Sequence, residues 1–240
     1  MMMNWIVDTT TFLNKLCYIF GQPYTQYRQL TKERPMKTTF LANKHGYQFP
    51  NRFELDWMKE VFKKSKNKYF YGLCGGMCFS ALDHFYENTP LPPYTDPEEI
   101  PQNYVNYLWS RQLNSTSLKQ LSKLFISAAQ NKQLLLDKTI KHEIPLIISR
   151  INRNIPVPII ICRSRLLENP TDNHQIILTG CRVDEGNYSF YCFDPNHPGL
   201  EPTIQVSTDL NKGITQNTGE KIIAFFINSS YQHKRIFQKT

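Results

Sequence analysis

Two hundred and forty residues, 40% of them hydrophobic, 13% aromatic and 20% charged, match ordinary globular usage and exclude a disordered, collagen-like or coiled-coil chain. That length suits one well-buried core, so a single domain is expected over residues 1–240. Lys+Arg 28 against Asp+Glu 20 leaves a net charge of +8, which suits an acidic partner; the densest basic run, Lys63 to Lys68, lacks any zinc-finger, RNP-like or helix-turn-helix context, so no nucleic acid is expected.

No apolar run approaches the roughly 20 residues of a bilayer-spanning helix. The opening MMMNWIVDTTTFLNKLCYIF has no basic leader and no small-residue cleavage site. The expected location is the cytoplasm, or outside the cell by a route that reads no N-terminal signal. Cys17, Cys74, Cys78, Cys162, Cys181 and Cys192 are too sparse for a disulfide scaffold, so reduced thiols are expected.

In chain order, residues 9–20 predict a short helix capped by Asp8 or Thr9, within an N-terminal helical extension over 1–35. Tyr47-Gln48-Phe49 reads as a brief strand or extended turn and Glu54 to Phe62 as a helical turn. From Cys74, the residues Met77, Cys78, Ala81, Leu82 and Phe85 recur at helical spacing and predict a central helix, ended by Pro90, Pro92, Pro93 and Pro97. Helices follow at about 102–112 and 117–130. Ile144, Ile147, Ile148 and Ile151 predict another, in which Pro145 is tolerable only in the first turn. Beyond it Val157 to Cys162, Gln175 to Leu178, Tyr188 to Phe193 and Ile222 to Ile227 read as strands. Helices first and strands afterwards imply an α+β architecture with an antiparallel sheet.

Three strings carry chemistry. In Tyr71-Gly72-Leu73-Cys74-Gly75-Gly76-Met77-Cys78, Cys74 opens a helix, where unpaired N–H groups favour a thiolate. The two glycines after it are expected to leave room for a substrate carbonyl to approach the backbone. In Asn173-His174-Gln175-Ile176 a histidine begins an apolar strand, and Asp194-Pro195-Asn196-His197-Pro198-Gly199 ends the next one. A three-residue loop, Asp184-Glu185-Gly186, pairs Val183 with Asn187 and sets His174 opposite Asn196. Asp194 and Asn196 then share the face of His174, and either can orient its imidazole.

The order of helix-opening cysteine, strand-opening histidine and then Asp or Asn resembles papain-like cysteine proteases, including the C39-like peptidase branch. GLCGGMCFSALDHF, YLWSRQLNS, IPVPIIIC, NHQIILTG and FDPNHPG look most like a group of largely uncharacterised bacterial papain-like proteins, over about residues 45–228. The resemblance implies a papain-like fold and a Cys74, His174, Asp194 triad. Papain has a glutamine six residues before its nucleophile; Lys68 stands there in this chain. The oxyanion donor is then sought in Gln48 or Asn51, beside the N–H of Cys74.

The remaining cysteines read as core, with Cys78 the alternative nucleophile. Zinc on Cys74 and Cys78 would need a second ligand pair that the C-x3-C spacing lacks, so neither metal nor cofactor is expected. His197 belongs to its turn, and His45, His84, His142 and His233 have no partner pattern. The expected activity is a thiol-dependent hydrolase acting on a peptide, isopeptide or amide bond of a protein or peptide substrate. Its alternatives are an acyl transferase or deamidase with the same triad, and a binding module that keeps the fold without the chemistry.

Overall fold

The computed structural model describes residues 34–54, 70–116, 131–163, 173–184 and 187–236. The expected helices at 9–20 and 117–130, the basic run at 63–68 and all but the first residue of the 54–62 turn lie outside these. The architecture is α+β with an antiparallel sheet, as the change of hydrophobic period along the chain predicts.

The first described elements are short: β1 (Met36–Lys37), α1 (Ala42–His45), and the paired strands β2 (Phe53–Glu54) and β3 (Phe70–Tyr71). Tyr47 to Phe49 is neither strand nor helix; it is an irregular segment that carries the Tyr47 and Phe49 rings into the core. The central helix α2 (Cys74–Glu87) begins where its periodicity begins and is buried continuously from Gly75 to His84. It ends at Asn88, left-handed at φ 52, whose N–H returns to the His84 and Phe85 carbonyls. Next comes α3 (Gln102–Ser115), packed so closely on α2 that a Cβ on Gly76 would lie 2.3 Å from the Leu108 carbonyl oxygen. A buried ion pair, Arg111 Nε to Asp83 Oδ2 at 2.7 Å, joins the same two helices. The hydroxyls of Tyr107 and Tyr231 and the N–H of Lys234 also donate to the Asp83 carboxylate.

Helices α4 (Lys132–Lys138) and α5 (Ile144–Asn152) form one run, joined by a π-helical turn over Thr139–Glu143. Pro145 falls in the first turn of α5, as its missing N–H requires, and the widened turn before it absorbs the break in the ladder.

The strands are β4 (Val157–Cys162), β5 (His174–Asp184), β6 (Asn187–Phe193), β7 (Thr203–Ser207), β8 (Ile214–Gln216), β9 (Lys221–Ile222) and β10 (Ala224–Ile227). Among the described residues they form, with β1, an eight-stranded sheet in the order β10-β4-β5-β6-β7-β8-β9, with β1 also on β5. β9 and β10 end that order at opposite sides, yet only Ile223 separates them in the chain, so the sheet curls back on itself. β5 lies between two cores. Ile176 and Leu178 join the cluster that includes α5, while Ile177 joins the cluster around α2. Burial on both faces explains why this strand is a continuous apolar run.

The β5–β6 register differs from expectation near its loop: Val183 faces Tyr188 instead of Asn187. A β-bulge between Leu178 and Gly180 takes up the extra residue, and beyond it Ile177 faces Phe193, the pairing that the expected register gives at that end. At the α2–α3 contact, Gly76→Ala is expected to destabilise the protein by about 1–3 kcal/mol through overpacking against backbone. Urea denaturation measures this, and an unchanged midpoint would contradict the close packing.

Candidate active site

Cys74 is the first residue of α2 and is partly exposed. Leu73 offers no side-chain cap, so the free N–H groups of the first turn find other partners. Gly76 N–H donates to Gln112 Oε1 at 2.8 Å, and the N–H groups of Gly75 and Gln175 hydrogen-bond the Cys74 sulfur. Burial opposes the thiolate, but the hydrogen bond and charge of the His174 imidazole outweigh it together with those two N–H groups. The Cys74 pKa therefore lies below its ordinary value.

The glycines do not leave space for substrate, as their sequence context predicts. A Cβ on Gly75 would lie 2.0 Å from Ser115 Oγ and 2.5 Å from Gln175 Nε2, and Gly76 is filled by α3. Their smallness serves the approach of helix to helix and of helix to sheet.

His174 opens β5 beside the start of α2, and its Nε2 lies 2.6 Å from Asp194 Oδ1. The imidazole is also hydrogen-bonded to the Cys74 thiol; with Nε2 on Asp194, Nδ1 is the ring atom left for that bond. Burial disfavours the imidazolium, yet the Asp194 carboxylate and the Cys74 thiolate raise the His174 pKa to about 9. Burial likewise works against the Asp194 carboxylate, and the His174 charge and hydrogen bond, with those from Asn196 N–H and Gln216 Nε2, lower its pKa to about 2.

The Asp194-Pro195-Asn196-His197 turn explains how a fully buried carboxylate is held. His197 N–H returns to the Asp194 carbonyl at 2.9 Å, and Asn196 N–H donates to Oδ1 at 2.9 Å, so the aspartate caps its own turn. Gln216 Nε2 from β8 donates to Oδ2 at 3.1 Å. Of the two residues that the register allows, Asp194 meets His174. The Asn196 carboxamide turns to another segment: its Oδ1 accepts from Asn51 Nδ2 at 3.1 Å.

Asn51 reaches the segment that leads into Cys74: its Oδ1 accepts from Leu73 N–H at 2.5 Å, and its own N–H donates to the Pro195 carbonyl. One Nδ2 hydrogen goes to Asn196, and the other meets no acceptor among the described residues. Gln48, the other candidate, spends its amide on the Asn43 and Gly46 carbonyls. Cys78 is buried, donates to the Gln175 carbonyl, and has its pKa pushed well up by burial. Burial also pushes Cys162 and Cys181 up to about 12 and raises Cys192; Cys17 lies outside the described residues. Gln216 and Asn51 had no signal in the sequence that singled out both their partners. Asp194, His197 and Glu220 bring metal-ligand atom types within 4.8 Å of one another, but Arg163 holds both oxygens of Glu220. No helix among the described residues is long and apolar enough to cross a membrane. In comparisons with protein-family models, curated proteins and solved structures, nothing matches this chain.

The arrangement can hold a thiolate–imidazolium pair, and this has a signature in stability. The raised His174 value contributes stability that is complete below 6.5 and lost as pH rises through about 9. The lowered Cys74 value contributes stability that is complete above 9.0 and lost as pH falls through its folded value. The two slopes oppose one another from the lowered Cys74 value up to about 9, so over that window the wild-type unfolding free energy should change less steeply with pH than either contribution alone would make it. Cys74→Ser removes the second contribution and keeps the Asp194-supported first, so its stability should fall as pH rises across that window. Equal slopes in urea denaturation of the two proteins would contradict the pair.

Proposed function

We propose that this chain is a papain-like, thiol-dependent hydrolase that cleaves a peptide, isopeptide or other amide bond of a protein or peptide through a thioester on Cys74. The observation that carries this reading is one imidazole hydrogen-bonded on one side to a buried carboxylate and on the other to a sulfur at a helix N-terminus. Support also comes from the order of the three residues, and from their placement where a central helix meets a curled antiparallel sheet.

In the first half-reaction the Cys74 thiolate attacks the carbonyl carbon, forming a C–S bond and placing negative charge on the carbonyl oxygen. The N–H of Cys74 and the second Nδ2 hydrogen of Asn51 are the donors assigned to that oxygen, in place of papain's glutamine. The imidazolium of His174 gives its Nδ1 proton to the departing amine, the C–N bond breaks, and a thioester remains. Neutral His174 then takes a proton from water as that oxygen attacks the thioester. Collapse releases the acid and regenerates the thiolate and the imidazolium. Asp194 holds the ring in place and stabilises its charge in both halves. An amine in place of water would give transfer through the same intermediate.

Iodoacetamide near pH 6, followed by mass spectrometry, should modify Cys74 much faster than the other five cysteines. Equal rates across all six, or fastest labelling at Cys78, would overturn the proposal. The Asn51 assignment has its own test. Asn51→Ala should weaken reversible inhibition by a peptide aldehyde, whose adduct places an oxygen in the oxyanion position, by about a hundredfold. Iodoacetamide labelling of Cys74 should change little, and undiminished aldehyde affinity would return the role to another donor.

A further inference from the structure

Beside Cys74, against Gly75, three buried polar side chains meet from three elements. They are Ser115 at the end of α3, Gln175 in β5 and Asn228 just after β10. Gln175 Nε2 donates to Ser115 Oγ at 3.0 Å, and Ser115 Oγ donates onward to the Gln112 carbonyl at 2.8 Å. Asn228 Nδ2 donates to Gln175 Oε1 at 2.8 Å and to the Ser115 carbonyl at 2.9 Å, while its Oδ1 accepts from Ser230 N–H. Both Nδ2 hydrogens of Asn228 are spent, so reversing the Gln175 amide would oppose donor to donor. The direction of the whole chain is therefore set, and with it the rotation of the Gln175 side chain.

Satisfied buried amides of this kind are costly to break and rigid when intact. Their location gives the rigidity a use. Gln175 follows His174 directly, its backbone N–H bonds the Cys74 sulfur, and its side chain fills the space over Gly75. The same linkage runs through Gln112 to the N–H of Gly76 in the first turn of α2. Accordingly, we infer that Gln175, clamped by Ser115 and Asn228, is a positioning residue that fixes the start of β5 against the start of α2, so that the Gln175 N–H and the His174 ring bear together on Cys74. This inference rests on the proposed thiolate chemistry and adds to it a fourth element. The loop after β10 sets the reactivity of a sulfur that it does not touch.

The titratable groups around Cys74 are His174 from β5, Cys78 one turn along α2, and Asp194 behind His174. Substitutions in the clamp change none of them. Gln175→Met keeps the backbone N–H and the side-chain length but removes the hydrogen bonds to Ser115 Oγ and from Asn228 Nδ2. Ser115→Ala removes one bond and is the milder variant should the first fail to fold. Thr139→Val is the control for lost buried hydrogen bonding, since Thr139 Oγ1 donates to the Phe225 carbonyl at 3.0 Å and its hydroxyl bonds to none of Cys74, His174 and the three clamp side chains.

The readout is the pH profile of Cys74 alkylation by iodoacetamide, alongside thermal unfolding. Gln175→Met should move the alkylation midpoint up by about one pH unit and Ser115→Ala by about half that. Thr139→Val should lower the unfolding temperature and leave the midpoint in place. A midpoint unchanged in both clamp variants, with lowered unfolding temperatures, would reduce the clamp to ordinary stability and overturn the inference. Failure of the underlying proposal looks different: the wild-type protein itself would then show no preferential labelling of Cys74.

Discussion

The hydrogen bond between His174 Nε2 and Asp194 Oδ1, 2.6 Å long and almost wholly shielded from water, is the interaction around which the site is organised. A carboxylate with no exposure persists only when its oxygens are satisfied, and here a ring nitrogen, a turn N–H and the Gln216 amide share that task. Each donor depends on a different part of the fold. The ring needs the β5–β6 register, the N–H needs the turn that Pro195 favours, and the amide needs β8. Loss of any one leaves a buried charge short of a partner, so the geometry is specified from several directions at once.

The second constraint is the meeting of α2 with the sheet. A helix N-terminus has donors to offer and a sulfur anion has need of them, but only if the helix reaches the strand without side chains between. Gly75 and Gly76 allow that approach, one toward Ser115 and Gln175 and the other toward α3. The buried Asp83–Arg111 pair farther along α2 fixes the same two helices against each other. Two apolar clusters lie on opposite faces of β5, so the strand that carries His174 is held from both sides.

Much of this was legible in the residues because hydrophobic period and turn chemistry agree with the fold. The run from Cys74 reads as a helix and begins within a residue of where the helix begins, and Val157 to Cys162 is a strand with those bounds. The face shared by His174 and Asp194 came from a register that is wrong by one residue at the loop and restored by a bulge at Leu178/Gly180, which no local pattern announces. The glycines were legible as important but not as packing devices, because their neighbours Ser115 and Leu108 lie on another helix. Strands β7 and β8 are short, and Ile204, Val206 and Ile214 give too few alternations to stand out. Asn51, Gln216 and Asn228 are single polar residues whose partners come from distant segments, and spacing along the chain carries no trace of such contacts.

The central claim is that Cys74 rests as a thiolate paired with protonated His174, and the ultraviolet absorbance of the thiolate reports this directly. Titrated from acid to neutral pH, the folded protein should show one thiolate rising below the ordinary thiol range, absent from Cys74→Ser and displaced upward in His174→Ala. A wild-type curve that rises only in the ordinary range of free cysteine, or that is the same in all three proteins, would contradict the account.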